Sequence, residues 1–247
     1  MKQIFGRISG TYLFIMLQTI LYGWFLSLDL TGGSYRLSAI IKYSMIILCF
    51  CYVLFYKKGT GKGILLCLRF ALLFTVISDF FILLLDYYFY GVLSFLIVHQ
   101  LYALKMDIEM EHKRILLTFL KRLCLQLIIA AGICLLLRGV GVTLERLLIV
   151  TVFYFVCIVM NVIYAVRVSL HRPKEKSSRI FAAGMILFLL CDVNVGIFNL
   201  SDFLTLSKTS YELLYLISAI LMWTFYAPSQ VLIALSVVKN QDKKPAK

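Results

Sequence analysis

Polar residues are sparse along this chain and gather in short clusters between long apolar runs. The runs lie near residues 10–28, 36–56, 64–86, 88–105, 115–137, 144–167, 179–199 and 212–238. Each is close to the roughly 17–25 apolar residues that a helix needs to cross a hydrocarbon core about 30 Å thick. The pattern predicts an all-α polytopic membrane bundle of eight transmembrane helices. Connections are short and no Pro/Gly/Ser-rich linker divides the chain, so a single transmembrane domain over residues 1–247 is expected. The first run lacks a small-x-small cleavage site and is long for a signal peptide, so it is read as the first membrane helix.

Composition sharpens this picture. At 62% hydrophobic and 15% charged residues, the chain leaves no room for a separate soluble catalytic domain. The net charge of +13 would suit a nucleic-acid binder, but Lys and Arg sit in the connections and no aromatic–basic platform accompanies them. Nucleic acid is therefore excluded as a partner. The basic clusters are Lys2 and Arg7; Lys57, Lys58 and Lys62; Lys105, Lys113 and Arg114; Arg167 to Arg179; and Lys239 to Lys247. They alternate with poorly basic connections around Asp29, Asp86, Glu145 and Asp202. The positive-inside rule then predicts an even helix count with both termini cytoplasmic. Compact loops point to a bacterial cytoplasmic membrane. The Lys57–Lys62 stretch lacks the spacing of a phosphate-binding loop and reads as a basic turn. The seven cysteines all fall in apolar runs, where they act as small fillers. The oligomeric state is unread.

Against that background, ionisable residues inside the runs are the candidates for chemistry, because burying them in lipid is costly. Asp79 in helix three and Asp192 in helix seven occupy corresponding places, each past the midpoint of its helix. Their placement suggests two parallel four-helix halves, about 1–110 and 111–247, each donating one carboxylate to a shared cavity toward the outer leaflet. Lys42 lies in the outer third of helix two, where it either snorkels or meets a carboxylate or phosphate. His99 and Tyr102 share a face of helix four, and Asp79 offers His99 a mate. Tyr226 and Gln230 share a face of helix eight, with Pro228 between them to kink it and free carbonyls. Asn194 and Asn199 continue a polar trail outward along helix seven, whereas Asn161 reads as helix-packing glue. His112 and His171 fall in loops, which leaves His99 as the one buried imidazole. No metal and no cofactor is expected, and no nucleophile-elbow serine is visible.

These residues resemble a known pattern, that of the YhhN family of lysoplasmalogenase-like membrane proteins. The resemblance spans helices two to eight. It is carried by Lys42, by Ser78-Asp79 followed by Gly91, Phe95, His99 and Tyr102, by Cys191-Asp192 followed by Gly196, and by Tyr226 with Gln230. The chain departs from that pattern with Ser78 for Gly, Tyr43 for Pro, Cys191 for Ser and Asn199 for a basic residue.

The resemblance implies hydrolysis of the vinyl-ether bond of lysoplasmalogens, releasing a fatty aldehyde and a glycerophospho-base. The substrate would be a lysophospholipid reached within the bilayer. Protonation of the vinyl β-carbon would give an oxocarbenium ion, which water captures before the hemiacetal collapses. Asp79 and Asp192 would divide this work as an acid and a carboxylate, as two carboxyls do in glycosidases. Lys42 would meet the phosphate, while His99, Tyr226 and Gln230 orient water or the sn-2 hydroxyl. Two other functions fit the same residues. One is a small cation- or proton-coupled transporter built on the carboxylates. The other is a non-catalytic lipid-binding scaffold.

Overall fold

A computed structural model describes residues 2–56, 61–199 and 208–238, the side chains of 2–9 and 208–213 excepted. The expected basic turn at Lys57–Thr60, the connection around Asp202, the C-terminal lysines and the Lys2 and Arg7 side chains lie outside the described residues. Every regular element among those described is a helix. They are α1 (Lys2–Leu30), α2 (Tyr35–Leu54), α3 (Lys62–Leu83), α4 (Tyr88–Glu109), α5 (Ile115–Gly139), α6 (Arg146–His171), α7 (Lys176–Phe198) and α8 (Lys208–Leu235). All eight are long and apolar enough to cross a membrane.

The helix pairs α3–α4 and α7–α8 pack most extensively. Around them lie α1–α2, α2–α3, α5–α6 and α6–α7, with crossing contacts α2–α8, α4–α6, α1–α8 and α4–α5. Advancing every helix by four converts each pairing into another of the same set, so that α2–α8 becomes α6–α4. The main core lies where α3, α4, α6, α7 and α8 converge, around Tyr102, Phe181, Met185 and Phe188. In α5 only Gln126 and Ala130 are buried, so that helix presents most of its surface outward.

Two boundaries differ from the apolar runs. Helix α4 continues one turn past Lys105, to Glu109, although that turn carries charges. Lys105, expected in a loop, is buried and paired with Glu109 at 2.6 Å, its ammonium 3.8 Å from the Phe181 ring centre. Charges end an apolar run in sequence, but a helix carries on where each charge finds a partner. Asp29, also assigned to a connection, closes the last turn of α1.

Helix α8 remains continuous through Pro228. A proline has no N–H to give to the carbonyl four residues back, which is Thr224. Here the Tyr22 hydroxyl of α1 donates to that oxygen at 3.4 Å. Helices α7 and α8 approach closely at Gly184. A Cβ there would lie 2.9 Å from Ile233 Cγ1 and 3.1 Å from both the Ser229 oxygen and the Ile233 nitrogen. Two of those neighbours are backbone and yield only if the helices separate. Gly184→Ala is expected to cost about 1–3 kcal/mol by overpacking. Thermal unfolding in detergent checks this; an unchanged midpoint would mean that the α7–α8 contact is compliant.

Candidate active site

The buried face of α3 runs through Leu68, Ala71, Leu72, Thr75, Ser78 and Asp79, a spacing of three and four that keeps them on one stripe. The stripe is apolar at first and polar for its last two turns. The Ser78 hydroxyl donates to the Gly91 carbonyl at 2.7 Å, tying α3 to α4 where glycine lets the helices approach. The serine that departs from the family pattern therefore has a structural task. Asp79 beside it is only 3% exposed, and Tyr226 of α8 donates its hydroxyl to Oδ2 of Asp79 at 2.7 Å.

Asp192 of α7 is served in the same way by a residue that the sequence reading did not single out. Tyr154 of α6 donates its hydroxyl to Oδ2 of Asp192 at 2.6 Å. The signal in the sequence is weak: Tyr154 lies seven residues before Asn161, on the same buried face of α6.

Phe95 of α4 links the two phenol–carboxylate pairs, its ring centre 6.3 Å from Tyr226 and 6.0 Å from Tyr154. Phe188 packs on it edge-on at 5.6 Å and lies 5.4 Å from Tyr226. Both carboxylates lie within electrostatic reach of Tyr154 and Cys191. The site is thus two acids, each hydrogen-bonded by one tyrosine, around an aromatic floor.

His99 joins this cluster, with its ring 5.1 Å from Tyr154 and 5.3 Å from Phe188. Its polar neighbour is Asn161, which donates to the His99 carbonyl at 2.7 Å and lies 3.5 Å from Nδ1; no bond joins His99 to Asp79. Nε2 of His99 is buried with no protein partner. Tyr102 is wholly buried one turn further along α4, and its hydroxyl has no protein hydrogen-bond partner. Gln230, one turn beyond Tyr226, is also wholly buried, and neither atom of its amide meets a protein partner. These are polar groups aimed inward and available to water or a ligand.

Lys42 stands apart from the acids. Its ammonium is 2.7 Å from Asp29 of α1, and the Ser38 hydroxyl donates to the other oxygen of Asp29 at 2.5 Å. The same ammonium lies 5.4 Å from the Phe25 ring centre and 5.2 Å from that of Trp223. Trp223 in turn packs edge-on against Tyr226 at 5.0 Å, so one aromatic side chain separates the Lys42–Asp29 pair from the Tyr226–Asp79 pair. Asn194 and Asn199 each give their amide N–H to their own helix, to Leu190 and Val195 respectively. Asn199 is exposed at the end of α7 and Asn194 is nearly buried, and neither is bonded to a carboxylate.

An eight-helix bundle carrying two carboxylate–phenol pairs, one buried at Asp79 and one half-buried at Asp192, defines an integral, multi-pass membrane protein. The family model of the YhhN family matches residues 37–237, from the first turn of α2 to just past the end of α8, and the chain belongs to that family. No curated protein and no solved structure matches the chain. The match includes every candidate residue named above and leaves α1, with Asp29, outside it.

Proposed function

We propose that the protein is a membrane-embedded hydrolase that cleaves the vinyl-ether bond of lysoplasmalogens, with Asp79 and Asp192 as its acid–base pair. The observation that carries this reading is the pair of carboxyls, Asp79 buried and Asp192 half-buried, each held by one tyrosine whose ring packs against Phe95. Vinyl-ether hydrolysis needs one group to protonate carbon and another to stabilise the cation and direct water. It needs no stronger nucleophile. The apolar floor of Phe95 and Phe188 suits an alkenyl chain, and the unpartnered amide of Gln230 suits a water or the sn-2 hydroxyl. The Lys42 ammonium lies 5.2 Å from the ring centre of Trp223, which packs on Tyr226, and Lys42 is assigned to the lipid phosphate. The parallel halves would each supply one carboxyl, with both termini cytoplasmic.

The test is to incubate purified protein with a lysolipid panel that includes lysoplasmenyl-ethanolamine and lysoplasmenyl-choline. Free aldehyde is then followed by mass spectrometry. Aldehyde release supports the reading; no turnover of any lipid by folded protein removes it. Tyr154→Phe and Tyr226→Phe each delete a hydrogen bond to a carboxyl, worth about 1.5–3 kcal/mol. Each is expected to slow aldehyde release by about 10–100-fold, at 1.4 kcal/mol per decade, and an unaltered rate in both would separate the phenols from the chemistry.

Cation- or proton-coupled transport is the second reading, favoured by the ionic groups that continue along α4 to Asp107 and Glu109. It predicts ion-dependent uptake into proteoliposomes with no lipid turnover.

A further inference from the structure

A second polar feature leaves the candidate site and runs between α4, α5 and α6. On α4, Gln100, Ala103 and Asp107 share one face at spacings of three and four; on α5, Arg122 and Gln126 do the same. On α6 the matching residues are Tyr154, Cys157, Asn161 and Tyr164. The contacts step along the seam in order. His99 meets Tyr154 and Asn161 at the site itself. Gln100 then donates to Oε1 of Gln126 at 3.1 Å and to Sγ of Cys157 at 3.4 Å. About 10 Å further along α4, at 1.5 Å per residue, Asp107 is bound by Arg122 and by the Tyr164 hydroxyl at 2.9 Å. The Tyr164 hydroxyl also meets Nε2 of His112 at 3.0 Å, and the His112 side chain is 38% exposed at the basic end of the bundle.

The side-chain atoms of this seam are only half matched to one another. Nε2 of His99, Oε1 of Gln100, Nε2 of Gln126, Oδ1 of Asn161, Oδ2 of Asp107 and Nη1 of Arg122 are all buried without a protein hydrogen-bond partner. Gln126, Asn161, His99 and Asp107 are wholly buried residues. Donors and acceptors both occur, spaced over three helices, and one of the two residues between Gln100 and Asp107 on that face of α4 is the small Ala103. A buried water typically makes about three hydrogen bonds to such groups, and buried polar groups are rarely left without partners.

We infer that a file of water molecules occupies the α4–α5–α6 seam and connects the Tyr154–Asp192 end of the candidate site to the basic end of the bundle at His112. The ligand class is water itself, held by amides, a carboxylate, a guanidinium and an imidazole. As the supply line for a hydrolysis that consumes one water per turnover, the file rests on the function proposed above; as a hydrated path it does not. Lipid would then reach the acids from the bilayer, and water from the protein's interior.

Radiolytic hydroxyl-radical footprinting of the full chain in lipid nanodiscs tests this without any lipid substrate. Radicals form from local water, so a buried side chain is oxidised only where water adjoins it. Cys157 in the seam and Met185 in the dry core are both wholly buried and chemically reactive. The expected result is rapid oxidation of Cys157 and Tyr164 with Met185 spared, and uptake of oxygen-18 at Cys157 after a brief pulse of labelled water. Gln126→Leu should bring loss of the Cys157 label. Oxidation of Cys157 in the wild-type protein no faster than that of Met185 would overturn the inference. So would oxidation without oxygen-18 uptake, which would mean isolated waters. The aldehyde assay is read separately, so a dry seam and an inactive hydrolase remain distinguishable.

Discussion

Asp79→Asn and Asp192→Asn are each expected to lower aldehyde release from a lysoplasmalogen by about 10²–10⁴-fold, the usual contribution of a positioned acid or base. The substitution keeps the shape of the side chain and keeps an oxygen to accept from Tyr226 or Tyr154, so the helices have no reason to move. What is lost is the ability to give a proton to carbon or to carry the negative charge that meets the oxocarbenium ion. Because the two carboxyls serve the same transition state, the double variant should be little slower than the worse single one. The measurement is aldehyde formed per folded protein, with folding judged by the unfolding midpoint. Full activity in either correctly folded variant would sink the paired-carboxylate mechanism. Loss of activity with a large fall in midpoint would instead assign that aspartate to packing.

Arg122→Leu is expected to destabilise the protein by about 3–5 kcal/mol, because removing one member of a buried ion pair strands the other. Asp107 is wholly buried, and Arg122 is its closest cation. Without Arg122, the Tyr164 hydroxyl and the more distant His112 at 4.0 Å are left to face the carboxylate. Replacing both charges, Asp107→Leu with Arg122→Leu, should recover most of the loss, since a buried pair contributes little over apolar residues of similar size. The comparison of the two variants by thermal or denaturant unfolding in detergent is the check. A single variant as stable as the wild type would show that Asp107 is solvated rather than paired, and a double variant no better than the single would show that packing by the arginine stem is what matters.

The acids and their helices were legible in the sequence because a carboxylate inside a lipid-length run is conspicuous. Tyr226 was legible through its spacing from Gln230. Tyr154 was not, since a tyrosine in an aromatic-rich membrane helix carries no mark that separates a hydrogen-bonding phenol from a packing ring. Lys42 stood out as an ammonium inside an apolar run, but its mate in the fold is Asp29, which looked like part of a solvated connection. Asp107 and Glu109 followed Lys105 in a charged stretch that read as the end of a helix. That all three are buried was not legible there, because Asp107 and Glu109 take partners, Arg122 and Ser178, from other helices, and Lys105 is then paired with Glu109.

The sequence by itself therefore determined the helices, their number, their approximate ends and the depth of each polar residue along its own axis. Those are local properties, set by the match between apolar run length and bilayer thickness. Tertiary structure alone decided which hydroxyl meets which carboxyl, which ion pairs close and which amides remain open to a ligand. Rotation of one helix against another is set by the packing of many side chains at once, and no stretch of a single run carries that information.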